Sequence, residues 1–257
     1  MHVTALPPTM RVFALKVPPS VAEDTLDRLL HHLPEGAQAR VRKFRHADDA
    51  VRSVAGRLLP TWYLRRSGLV PAPSHPEYAT GARGKPYLAA PGLAHALDFN
   101  TSHEGAYVLL AVARGDVGVD VMDLPRDPDE LEASVAYTMT PRERHAVAGA
   151  RGRVKAKLLT TLWTVKEGYT KAIGEGIAFG LDRIEVDLGD GAVAGVRVDG
   201  RDVRENGWRW VVGSLDEGAY GYAVIWREDE GESTAVEVET VRWDEFVRAF
   251  IGNGGAW

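Results

Sequence analysis

The chain has 257 residues, 45% of them hydrophobic and 26% charged, which suits one large folded domain or two modest ones and excludes a disordered tail. Its net charge of −5 gives no general pull toward nucleic acid or an anionic membrane, so a polyanionic ligand would need a local basic pocket. The absence of cysteine excludes disulfides, zinc–thiolate sites, iron–sulfur clusters and a cysteine nucleophile.

Met1 to Leu15 lacks a continuous apolar run and is interrupted by Pro7-Pro8, so no signal peptide is expected. No stretch approaches the roughly 18 apolar residues of a membrane span, and a cytoplasmic protein is expected. Val12 to Val17 reads as a first strand closed by Pro18-Pro19. Ser20 with Glu23 reads as a capping box opening a helix to about Leu33, which Pro34-Glu35-Gly36 breaks. A basic stretch at Arg40, Arg42, Lys43 and Arg45 leads into a helix from about Asp48 to Arg66, where Val51, Val54, Ala55, Leu58, Leu59 and Trp62 recur at helical spacing. Val70 to Leu93 is rich in proline and glycine and reads as loop, with one short strand at 86–88. Leu97-Asp98-Phe99 reads as a strand with Ser102-His103 at its end. Tyr107–Ala113 and Val117–Val121, joined by Arg114-Gly115-Asp116, read as a hairpin. Helical patterns follow from Asp129, from Pro141 and over Arg153–Ile173. Strands are expected at 184–188, 193–198, 208–215 and 220–226, and a last helix around 243–250.

Glu104-Gly105-Ala106-Tyr107 recurs as Glu217-Gly218-Ala219-Tyr220, each time entering an apolar strand. The echo suggests two halves of similar topology, 1–122 and 123–257, each a small antiparallel sheet packed with helices, with a cleft between them. The expected class is α+β.

In Val117-Gly118-Val119-Asp120-Val121 the strand period places Gly118, Asp120 and Met122 on one face. Asp120 there is either a structural ion-pair partner or a ligand at a sheet surface. Glu167 and Lys171, at i and i+4 in Trp163-Thr164-Val165-Lys166-Glu167-Gly168-Tyr169-Thr170-Lys171, would by themselves be a surface pair contributing about 0.2–0.5 kcal/mol. Trp163 and Tyr169, however, imply a partly buried turn, where an unpaired carboxylate is costly. A divalent cation bound jointly by Asp120 and Glu167 would remove that cost, and oxygen donors favour Mg²⁺ over zinc. Ser102-His103 and Lys85 are further candidates for phosphate oxygens, and Arg40 to Arg45 for the basic pocket.

These residues together resemble the 4′-phosphopantetheinyl transferases, in the larger two-halved (Sfp-type) branch. The likeness runs through Arg42-Lys43-Phe44, Ala55-Gly56-Arg57, Gly84-Lys85-Pro86, Phe99-Asn100-Thr101-Ser102-His103, Gly118-Val119-Asp120, Trp163-Thr164-Val165-Lys166-Glu167 and Lys171-Ala172-Ile173-Gly174. The resemblance implies transfer of the phosphopantetheine arm of coenzyme A to a serine of an apo carrier protein, acyl or peptidyl, with release of 3′,5′-ADP. It implies that Asp120 and Glu167 hold Mg²⁺ (or Mn²⁺) with the coenzyme A diphosphate, that Glu167 takes the serine proton, and that Lys171 contacts the diphosphate. Ser102 and His103 match the pair for the 3′-phosphate, with Arg40 and Ser53 beside them, and Lys85 matches the lysine at the adenine end. A monomer is expected, because one chain carries both walls of the cleft, and neither nucleic acid nor membrane is expected as a partner. Two departures stand out: Met122 replaces a glutamate common in the branch, and Ala37 replaces a lysine.

Overall fold

The computed structural model of the chain describes residues 10–89, 97–189, 192–228 and 236–252. Strand β1 (Met10–Lys16) is followed by α1 (Glu23–Leu30), α2 (Glu35–Val41) and α3 (Ala47–Arg66). A small hairpin of β2 (Tyr78–Thr80) and β3 (Pro86–Leu88) precedes β4 (Asp98–Glu104) and β5 (Tyr107–Ala113). After β6 (Val117–Asp123) come α4 (Pro128–Val135), α5 (Pro141–Ala148) and α6 (Gly152–Ala172). Then follow β7 (Ile184–Leu188), β8 (Val193–Val198), β9 (Arg201–Asp202), β10 (Trp208–Leu215), β11 (Tyr220–Arg227), β12 (Val238–Val241) and α7 (Trp243–Ile251). Among the described residues no helix is long and apolar enough to cross a membrane.

The class is α+β, with one strand arrangement used twice. β5 lies antiparallel between β1 and β4, and β11 lies antiparallel between β6 and β10. The doubled Glu-Gly-Ala-Tyr marks the equivalent turns. Gly105 and Gly218 both take positive φ (51° and 83°), a conformation that glycine adopts without a Cβ penalty. Arg52 of α3 donates to Gly105 O, and Arg153 of α6 donates to Gly218 O, at 2.8 and 3.2 Å. Tyr107 and Tyr220 meet edge to face, 5.1 Å between ring centroids.

The hairpin expected between 107–113 and 117–121 does not form. Both edges of β5 are already occupied by β1 and β4, so at Arg114-Gly115-Asp116 the chain leaves that sheet and β6 pairs with β11, Asp120 opposite Ala223. By topology β6 opens the second repeat, although the division 1–122 and 123–257 groups it with the first. β12 and α7 return to the first repeat: β12 runs parallel to β1, and Phe246 and Phe250 join the core of Phe13, Trp62 and Leu59. The two sheets face each other through Val12, Ala14, Leu109, Val117, Val119 and Val224, a layer that buries apolar side chains of both repeats.

Local differences have local causes. No side chain caps α1, which begins behind Ala22 rather than at Ser20. The expected break at Pro34-Glu35-Gly36 is the start of α2 instead: Pro34 stands at its N-cap, and Ala37 and Val41 are buried against α3 and its neighbours. β4 continues through Glu104, so Ser102 and His103 lie within the strand and not beyond it.

Candidate active site

The free edge of β6 is satisfied by side chains. Asp98, Asn100 and Ser102, alternate residues of β4, accept hydrogen bonds from the amides of Val117, Val119 and Val121 at 3.0, 2.9 and 3.4 Å. This ladder of polar side chains takes the place of a strand partner and welds the two sheets where the predicted residues meet.

On its other side β6 lies against α6. A Cβ at Gly118 would run into Gly168 O and the amide nitrogen of Ala172, so glycine is what lets helix and strand approach so closely. Asp120, two residues on and buried, therefore points at the last turns of α6. Lys171 Nζ donates to Asp120 Oδ1 at 2.6 Å, to Ser102 Oγ at 3.1 Å and to Val119 O at 3.4 Å. The Ser102 hydroxyl in turn donates to Asp120 Oδ1 at 2.8 Å.

Glu167, one turn back from Lys171, is also buried, and its Oε1 has no hydrogen-bond partner among the described residues. Burial first, and then the charge of Asp120, push the Glu167 carboxyl above its ordinary range, with Lys171 opposing. A carboxylate oxygen left bare beside a second carboxylate is stable only with a proton or a cation upon it.

A cleft of about 520 Å³ opens here between β4, β6, α4 and α6, lined by Ser102, His103, Glu104, Asp120, Met122, Asp123, Trp163 and Lys171 among others. A second cavity, about 580 Å³, lies between α6 and β10; Lys157 is its one charged lining residue, and it contains none of the predicted residues. Lost hydration lowers the pKa of His103, and the nearby cations Arg52 and Lys171 lower it further, so its ring is neutral near pH 7. Glu104 is shifted upward, by desolvation and then by the charges of Asp123 and Asp120.

Beyond His103 lies α3. A Cβ at Gly56 would touch the His103 ring, and Ser53, one turn earlier, is buried. Arg57 and Arg40 stand close enough for Arg40 to depress the Arg57 guanidinium, after burial, which is the larger cause. Of these, His103 lines the cleft, while Ser53 and Arg57 lie on α3 and Arg40 on α2.

Lys85 is placed differently from its expected role. Its ammonium is taken up by Asp98, Val117 O (3.1 Å) and Ala172 O (2.9 Å), leaving only its backbone and stem for any ligand. It clasps β4, β6 and the C-terminal end of α6, where a cation also meets the negative end of the helix dipole. Lys166 turns away from the cleft. Buried, it donates to Glu143 at 2.7 Å, Thr138 O at 2.6 Å and Leu181 O at 3.2 Å, while Glu143 accepts from Thr140 N and Val186 N. That network fixes the register of α6, and so the heading of Glu167. Sequence reasoning missed Arg52, Asp98, Glu104 and the Glu143 partner. The alternating polar residues 98, 100 and 102 are the sequence's one hint of the seam, and nothing in the sequence names their partners on β6.

Residues 116–225 match the 4′-phosphopantetheinyl transferase superfamily, and residues 19–115 match the N-terminal region of 4′-phosphopantetheinyl transferases. The chain is 31% identical to a 4′-phosphopantetheinyl transferase (pptA) of Paxillus involutus, over 78% of this chain and 80% of that protein. It is 32% identical to a phosphopantetheinyl transferase of Thraustochytrium sp., over 82% of this chain and 76% of the relative. A 4′-phosphopantetheinyl transferase of Bacillus subtilis is 25% identical over 70% and 78%.

The chain belongs to the 4′-phosphopantetheinyl transferase family, a family of enzymes.

The two matched regions meet within Arg114-Gly115-Asp116, where the chain crosses from one sheet to the other. The N-terminal region of this phosphopantetheinyl transferase carries Arg40, Ser53, Lys85, Ser102 and His103. The superfamily region carries Asp120, Glu167 and Lys171.

Proposed function

We propose that the chain transfers the 4′-phosphopantetheine arm of coenzyme A to a serine hydroxyl of an apo carrier protein, acyl or peptidyl, releasing 3′,5′-ADP in a Mg²⁺-dependent reaction. The observation that carries the reading is the unpartnered Glu167 Oε1, buried within reach of the charge of Asp120, which itself lines the cleft. Asp120 and Glu167 fit a hard divalent cation, Mg²⁺ or Mn²⁺, by the oxygen chemistry of the pair and by that orphaned atom. When bound, the cation offsets charge on the diphosphate and assists departure of the ADP oxygen.

The residues of the chain supply the rest. The serine oxygen attacks the phosphorus that bears pantetheine, a new O–P bond forms, and the P–O bond to the ADP portion breaks. Glu167 takes the serine proton; burial and the charge of Asp120 raise its pKa, which makes its carboxylate a stronger base than a solvated one. Lys171 holds Asp120, and with a diphosphate bound it would stabilise charge building on the leaving oxygen. Ser102 orients Asp120 and Lys171 together, while His103, with Arg40 and Ser53 behind it, suits the 3′-phosphate. Lys85 acts as a clasp, not as a ligand of the nucleotide through its ammonium.

Arg151 to Lys157 or Arg40 to Arg45 would offer a basic rim to an acidic carrier. Both walls lie in one chain, so a monomer suffices, and the reading takes the cytoplasm as the setting. The test is to incubate the chain with an apo carrier, coenzyme A and Mg²⁺ and weigh the carrier. A gain of one phosphopantetheine supports the reading, and coenzyme A binding without any gain across several carriers contradicts it.

A further inference from the structure

Gly118 lets α6 settle on β6, and Gly168 lets it settle on Ile225 of β11, so the helix sits to one side of its sheet. It scarcely meets β10, the outer strand of that sheet. In the first repeat the equivalent space is closed, because α3 meets β4 at Gly56, where a Cβ would stand 3.8 Å from the His103 ring. In the second it stays open as the cavity of about 580 Å³, a volume typical of small-molecule sites. This cavity shares no lining residue with the cleft that holds Asp120.

Its walls are largely apolar. Leu158 of α6, Leu188 at the end of β7, and Trp210 and Val212 of β10 line it, and Trp210 Nε1 donates to Val193 O at 3.3 Å, which holds the indole in place. Two polar residues of the lining stand out. Lys157 is exposed and makes no hydrogen bond or ion pair among the described residues. Thr160 is more than nine-tenths buried, and its Oγ1 has no partner among the described residues. Buried helical threonines commonly return a hydrogen bond to their own backbone, as Thr164 does to Thr160 O and Thr170 to Glu167 O; Thr160 does not. Three residues apart, Lys157 and Thr160 are neighbours on one helix face.

An apolar cavity with one free cation and an unsatisfied hydroxyl beside it matches a long apolar molecule ending in a single anionic acceptor. It does not match a polyphosphate, whose charge one lysine leaves unbalanced. We propose that the cavity binds an unbranched aliphatic carboxylate, its chain between α6 and β10 and its carboxylate accepting from the Lys157 ammonium and the Thr160 hydroxyl. The site stands apart from the transfer reaction, although α6 carries both: Lys157 and Thr160 lie toward its start, Glu167 and Lys171 toward its end.

Calorimetric titration of the full chain with decanoate tests it, with decan-1-ol as the uncharged counterpart. Decanoate should bind once per chain and more tightly than decan-1-ol, and affinity should climb from hexanoate to decanoate by up to about fourfold per methylene group. Lys157→Met should weaken decanoate about 10- to 100-fold, the effect of losing a charge-assisted hydrogen bond, and leave decan-1-ol unchanged. Thr160→Val keeps the shape and discards a hydroxyl that has no partner, so it should stay folded and weaken decanoate about 2- to 10-fold. Saturating coenzyme A should not displace decanoate. No binding, an affinity flat with chain length, unchanged decanoate affinity in either variant, or displacement by coenzyme A, which would put the chain in the cleft, overturns the proposal.

Discussion

Ser102 on β4 donates a 2.8 Å hydrogen bond to Asp120 on β6, although the two strands belong to different sheets. The same oxygen accepts from Lys171 and from the amide of Val121, so one hydroxyl serves a carboxylate, an ammonium and a strand edge. Any contact of Ser102 with a phosphate has to compete with three existing partners.

Ser102→Ala should therefore do more than weaken coenzyme A. It strands the Val121 amide and removes a donor from buried Asp120, which should cost about 1–3 kcal/mol of stability, read as a lowered denaturation midpoint. If Ser102 acts chiefly on Asp120, Mn²⁺ affinity falls as well. A variant that loses only its preference for coenzyme A over the 3′-dephospho form, with stability and metal binding intact, would show that the hydroxyl is a phosphate ligand alone.

Lys85→Met tests the clasp. Three charge-assisted bonds disappear, and Asp98, whose pKa is raised by burial, loses its main cation. Destabilisation of about 2 kcal/mol is expected, with faster amide hydrogen exchange at the C-terminal end of α6. Unchanged exchange in the last turn of α6 would mean the clasp does not hold the helix.

Gly118→Ala places a methyl group against the backbone of Gly168 and Ala172. Neither partner can rotate aside as a side chain would. A loss of about 3 kcal/mol, near the upper end for overpacking, should accompany near-complete loss of activity as Glu167 and Lys171 are pushed from β6. Gly36→Ala, in open space on α2, is the control and should leave both properties in place.

The fold was readable in the sequence where one pattern decided it. The 3.6-residue stripes placed α3 and α6 within a residue or so, and four of the five strands from β7 to β11 were found, the two-residue β9 being too short to show. The β5–β6 hairpin misled because strand alternation names faces and not partners: two apolar runs around Arg-Gly-Asp look alike whether they pair with each other or with distant strands. β12 was missed because four residues beside a charged run carry too little period. The carboxylate pair and Lys171 were legible as a motif; the seam of 98-100-102 was not, since its bonds join residues far apart in the chain. Lys85 illustrates the same limit, for a lysine in a Gly-Lys-Pro turn reads as a free charge until its three acceptors are in place.

Lys166 and Glu143 form a buried pair whose worth depends on both members. Burial pulls the Lys166 ammonium below its usual range, with Glu143 pulling back. Lys166→Met alone should cost about 3–5 kcal/mol, because the Glu143 carboxylate is left without its cation. Lys166→Met with Glu143→Leu should recover part of that loss. A double-mutant cycle with no coupling would contradict the network.

His32 and His75 should make the protein acid-sensitive. The rings lie 3.3 Å apart at Nδ1 and Nε2, and Arg65 also reaches His75 Nε2 at 3.3 Å. Both pKa values are lowered, chiefly by burial, then by neighbouring histidine and arginine charge. The unfolded chain therefore binds these protons more readily than the folded one. The contribution is complete above the ordinary histidine range near about 6.5 and is lost as pH falls through and below it. Melting temperature should drop from pH 7.5 toward pH 5.5, and His75→Gln should flatten that drop; an identical pH profile in the variant would show that the pair is inert.

Of all these measurements, the most direct is the mass of an apo carrier protein after incubation with coenzyme A and Mg²⁺ beside wild type, Asp120→Asn and Glu167→Gln. Wild type should add one phosphopantetheine, and each variant, folded by circular dichroism, should lose at least about 100-fold in rate, as expected when a ligand or base acting in the transition state is removed. Near-normal labelling by Glu167→Gln would contradict the assignment of that buried, unpartnered carboxylate as the working base of the cleft.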